Sequence, residues 1–146
     1  MRFDQLGSIR PALLVLRTAV LGVTLFMGFV LPSTIAADSG VTQKLIAADE
    51  LSNVPGNKLT AVMVELAPGA KAPKHHHAGF VFAYVLSGTV RSQLNGGQGV
   101  DYTAGESWVE PPGTEHTLIE NPSRSTPASL LAVFVAPDRA QLTTYK

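Results

Sequence analysis

The chain has 146 residues, of which 45% are hydrophobic and 15% charged, and its 11 basic residues balance its 11 acidic ones. This is the composition of one globular domain, and it lacks the basic stripe with interleaved aromatics that a nucleic-acid partner requires. There is no cysteine, which excludes disulfides, thiolate metal sites and cysteine nucleophiles.

Arg2, Arg10 and Arg17 precede the uncharged run at residues 18–31, and small residues follow at 33–37. The basic, apolar, small order predicts a secretory signal peptide over residues 1–36 and a mature domain over 37–146. The alternative is a membrane anchor, but the uncharged run is short against the roughly 20 apolar residues that span a bilayer. The mature chain is therefore expected to be periplasmic or secreted, without stable membrane association. Setting aside Arg2, Arg10, Arg17 and Asp4 leaves 8 basic and 10 acidic residues, a net charge of about −2.

From residue 38 onward the pattern is of short strands and tight turns. Residues 43–48 form an edge strand between the turn clusters ADSG and SNVPGN. Residues 58–67 alternate, with Leu59, Ala61, Met63 and Glu65 on one face and Thr60, Val62, Val64 and Leu66 on the other, and Pro68-Gly69 ends them. Residues 80–86, FVFAYVL, are apolar on both faces and predict a central buried strand with Phe82 in the core. Val90, Ser92 and Leu94 oppose Arg91 and Gln93 in the next strand, and NGGQG turns it into a short return at 100–102. Residues 107–110 are extended, Pro111-Pro112-Gly113 reverses the chain, and 116–120 follow. After a loop at 121–126, the apolar strand 129–136 closes the series with Phe134 in the core. No helical periodicity is sustained after residue 37, so the expected class is all-β, a sandwich or barrel.

Three of the four histidines lie together at 75–77 and the fourth is His116. On an extended backbone His75 and His77 point to one side and His76 to the other. Two converging neutral imidazoles are half of a site for Zn, Cu, Fe or Ni. The competing reading is an exposed histidine tract on a loop. Near the last Pro-Gly turn, Glu110 and Glu115 are the carboxylates available as a further ligand or general base, or as solvated loop charges. Tyr84, Tyr102 and Trp108 either line a pocket or fill the core.

The spacing of Gly69, His75, His77, Val81 and Gly88 resembles the first motif of the cupin superfamily, except that Val81 stands where the family usually has glutamate. Gly105, Pro111, Gly113, His116 and Asn121 resemble the second motif, with Asn121 one residue late. The resemblance implies a single small jelly-roll β-barrel. It also implies that His75, His77 and His116 ligate a divalent ion such as Fe, Mn, Ni, Cu or Zn, and that the chain pairs as a homodimer. Three neutral ligands leave an octahedral ion electrophilic, with three open positions for an anionic bidentate molecule and O2. With zinc the same set makes a hydrolytic or lyase-type site. The expected function is a dioxygenase resembling the quercetinase-like cupins, acting on a small oxygen-rich organic molecule, with Glu110, Glu115 and Tyr84 as candidate acid or base. The alternative is a non-catalytic periplasmic module that binds a small molecule or a metal.

Overall fold

The computed structural model describes residues 39–146, and the expected signal segment lies outside them. The described residues contain strands and turns and no helix. In chain order the strands are β1 (Val41–Glu50), β2 (Asn57–Leu66), β3 (Lys71–Ala72), β4 (His75–His77), β5 (Phe80–Ser87), β6 (Thr89–Leu94), β7 (Val100–Thr103), β8 (Ser107–Glu110), β9 (Glu115–Glu120), β10 (Ala128–Pro137) and β11 (Thr143–Tyr145). They form two antiparallel sheets. One runs β1-β2-β10-β5-β8; the other runs β11-β4-β9-β6-β7, with β3 also on β9.

Expected closure into a barrel is not what the ladders form. Among the described residues each sheet ends on its own edges, β1 and β8 in one and β11 and β7 in the other, and no ladder joins the two. The chain instead crosses between sheets at tight turns such as Ser87-Gly88, where Gly88 has φ +70° and a Cβ would lie 2.6 Å from the Pro127 carbonyl oxygen. Only glycine meets both conditions there. Gly113, with φ +85°, turns β8 into β9 on the positive φ alone, since nothing lies within 4 Å of where its Cβ would be.

The core lies between the sheets. Leu66, Val81, Val85, Leu130 and Phe134 from one sheet meet Val90 and Ile119 from the other. In β2 the expected alternation holds at the inner positions, where Val62 and Val64 pack against this cluster. β5 departs from expectation. It is central in hydrogen bonding, between β10 and β8, but only one face is buried. Val81, Ala83 and Val85 are inside, whereas Phe80, Phe82, Tyr84 and Leu86 are 37–44% exposed. Phe82 is therefore a surface residue, because nothing among the described residues packs on the outer face of that sheet, while Phe134 is in the core at 7%. The short β3 and β11 were not expected, since two or three residues carry no readable period.

Candidate metal centre

Register brings the histidines together. His75 pairs with His116 across the β4–β9 ladder, so both side chains leave the sheet on the same face, and His77 joins them by strand parity. One nitrogen from each of the three lies within 4.8 Å of the others. The His75 ring is 4.8 Å from His77 and 5.1 Å from His116, centroid to centroid. His76, between two of them, is not part of this group; its Nδ1 is buried without a hydrogen-bond partner.

Each ring has one nitrogen engaged outward. His75 Nδ1 donates to the Pro73 carbonyl at 2.7 Å, and His77 Nδ1 donates to the Leu142 carbonyl at 3.1 Å, with Thr143 Oγ1 also at 3.1 Å. His116 Nε2 hydrogen-bonds Ser92 Oγ at 2.8 Å. Such contacts orient each ring and leave His75 Nε2, His77 Nε2 and, in the tautomer with its proton on Nε2, His116 Nδ1 as lone-pair donors, which is the donor set a divalent ion takes. Ser92, Pro73, Leu142 and Thr143 escaped the sequence reading. Ser92 alone had a local signal, as a polar residue at an inward position of an otherwise apolar strand face.

Burial favours the neutral form of His75 and His77. Burial pushes His75 down from its ordinary value against the Pro73 hydrogen bond, and pushes His77 down against the charge of Glu110. Of the candidate carboxylates, Glu110 enters the pocket and Glu115 does not. Glu110 is 3% exposed, on the inward face of β8 with Trp108, whose Nε1 donates to its Oε1 at 3.0 Å. Its oxygens lie 3.3 Å from His116 Nδ1 and 3.8 Å from His77 Nε2. Burial pushes the Glu110 carboxyl up, but His116, Trp108 and His77 outweigh it and leave the group below its ordinary value. Glu115 points outward, paired with Lys74 at 2.7 Å and with Lys146. Tyr84 is on the exposed face of β5, away from the histidines, for the same parity that turns Phe82 outward. Tyr102 stacks behind Trp108 at 4.7 Å. Asn121 has no place at the site: its buried amide donates to the carbonyls of Leu66, Ala67 and Thr126 and ties two loops together.

The cluster lies in a narrow pocket of about 60 Å³, walled by Val62, Val64, Val81, Ile119, Leu130 and Phe134. The volume is far below the roughly 300–1,000 Å³ that holds a drug-sized ligand, so it admits an ion and a molecule of few atoms.

Comparison with known proteins agrees with this architecture. Residues 62–134 match the family model described as Cupin domain. No curated protein gives a significant match. Among solved structures, an RmlC-like cupin from Shewanella frigidimarina is 21% identical over 70% of this chain and 82% of its own, with a TM-score of 0.56. KdgF from Halomonas sp. is 24% identical over 70% and 84%, at 0.54. The DMSP lyase DddQ from Ruegeria pomeroyi is 18% identical over 60% of this chain and only 43% of its own, at 0.52. These likenesses carry the fold. The two facing sheets, the histidines paired between β4 and β9, and a family match over half the chain lead to one conclusion: this protein is a member of the cupin superfamily.

Proposed function

We propose that this cupin is an exported metal enzyme of dioxygenase type that acts on a small, oxygen-rich organic molecule. One observation carries the reading. Three imidazoles bring one nitrogen each within 4.8 Å of the others and anchor the second, in the lining of a largely apolar pocket where Glu110 also faces His116. A divalent ion bound there would supply Lewis acidity and, if redox-active, electron exchange with O2. The protein's own part is to hold the three rings in fixed orientation, to exclude bulk water with the valine, leucine and phenylalanine walls, and to limit the ligand by volume. About 60 Å³ favours a β-diketone or enediol over a flavonol-sized ring system. Export rests on the basic, apolar and small order of residues 1–36. A homodimer is proposed through the outer face of β5, where four large apolar side chains stand in solvent.

A second reading, a binding module without turnover, is favoured by the poverty of the pocket in acid–base groups. Besides the histidines, Glu110 is its single carboxylate and Tyr145 its single phenol, since Glu115 and Tyr84 both lie outside. The test is elemental analysis of natively purified protein, followed by O2 uptake with small β-diketones and enediols. The enzyme reading expects one ion per chain and substrate-dependent uptake that a chelator abolishes. Stoichiometric metal with ligand binding and no uptake would establish the module instead, and a metal-free native protein would remove the enzyme reading and the metal-binding form of the module.

A further inference from the structure

The pocket holds a carboxylate where neither motif places one. Glu110 Oε1 is occupied by Trp108, but Oε2 is buried and has no hydrogen-bond partner. A charged oxygen at such depth with no hydrogen bond, and with His77 Nε2 at 3.8 Å, is costly to leave so, and a cation held on the side of the histidines would relieve it.

We propose that Glu110 is the carboxylate ligand of the metal centre, supplied from β8 one strand over from the position it would occupy in the first motif. The register carries this. Val81 and Glu110 are direct partners in the β5–β8 ladder. Partners in an antiparallel pair leave the sheet on the same face with Cβ atoms about 4.5–5.5 Å apart. A glutamate at 110 therefore enters the pocket at the height where one at 81 would enter, and Val81, 1% exposed, fills the space beside it. Trp108, two residues earlier on the same inward face, holds Oε1 and leaves Oε2 for the ion. The inference rests on the three-histidine metal reading and alters its charge. Three imidazoles and one carboxylate leave a divalent ion with a net charge near +1 and an octahedral ion with two open positions rather than three.

The experiment titrates EDTA-stripped wild type, E110Q and the double variant V81E/E110Q with Mn(II) and Zn(II) by calorimetry. Water-proton relaxation then counts exchangeable waters on the bound Mn(II). Glutamine keeps an acceptor for Trp108 and removes only the charge. Wild type should bind one ion with about two exchangeable waters. E110Q should lose on the order of 100-fold or more in affinity, at or beyond the upper end of what a merely supporting residue costs, and gain one water. V81E/E110Q, which returns the carboxylate to β5, should recover most of the affinity and the lower water count. Three waters in wild type, unchanged affinity in E110Q, or a loss without a change in water count would overturn the assignment and leave Glu110 a positioning partner of His116. The wild-type water count stands even if E110Q fails to fold. A folded wild type that binds neither ion is a different result: it removes the metal reading, and the role of Glu110 with it.

Discussion

His76 is the internal control for the site, because it shares the sequence neighbourhood of His75 and His77 and differs only in which face of β4 it occupies. Calorimetric titration with Zn(II) should lose stoichiometric binding in each of H75A, H77A and H116A, while H76A keeps it nearly intact. Equal losses at all four histidines would indicate an exposed tract. The same rings make the metal-free protein sensitive to acid. Burial holds His75 and His77 below their ordinary value of 6.5, so in the window below 6.5 the unfolded chain binds protons that the folded chain does not. Stability then rises with pH across that window and falls as the solution is acidified through it. Glu110, held below its ordinary value of 4.5, shifts in the same direction and extends the same trend to lower pH: it contributes stability above 4.5 that disappears as the pH falls through its folded value. Scanning calorimetry of the stripped protein should show Tm decreasing from about pH 7.5 to about pH 5.5. A flat profile would mean that the two rings are not desolvated.

β11 shows how a short element supports a site without contributing a ligand. Its residues pair with β4, Thr143 against His77 and Tyr145 against His75, and Leu142 just before it takes the outward hydrogen bond of His77. Removing residues 141–146 should leave the two sheets folded, since β10 and its ladders to β2 and β5 are untouched. It should weaken metal binding by about 10–100-fold, the range for loss of an orienting partner. Affinity equal to that of the full chain would show that His77 is oriented by β4 alone. Turns impose a different constraint on the elements. Gly88→Ala would place a Cβ against the Pro127 carbonyl at a positive φ, so denaturant unfolding should show a loss of more than about 1 kcal/mol.

For the whole molecule, the exposed stripe of β5 is the feature that the core does not explain. Phe80, Phe82, Tyr84 and Leu86 share the outer face, and Val109 pairs beside Phe82 from β8 at 48% exposure. This apolar face is where the proposed pairing would take place. In sedimentation velocity the wild type should run as a dimer and Phe82→Glu as a folded monomer. A wild-type monomer at all concentrations would remove the proposed pairing. The outward face has no bearing on the histidines, so Phe82→Glu should bind metal as wild type does. If the proposed export holds, mass spectrometry of the protein isolated from its native cell should find a chain starting near residue 37.

Local sequence alone determined the longer strands and the turns between them, though not the short β3 and β11, because period-two alternation and Gly/Pro punctuation act over a few residues. It also paired His75 with His77, by parity, and the resemblance of two spaced motifs added His116. What it left open was decided by packing. Phe82 and Val81 are indistinguishable as apolar residues in one run, and only the second sheet, present on one side of β5 and absent on the other, makes one a surface residue and the other core. Glu110 and Glu115 flank the same Pro-Gly turn and read alike. The β5–β8 register points Glu110 at the histidines, while Lys74 and Lys146, distant in sequence, draw Glu115 outward. The carboxylate of the site is a tertiary fact, since its height in the pocket depends on which residue of β5 it faces, and no spacing within β8 encodes that.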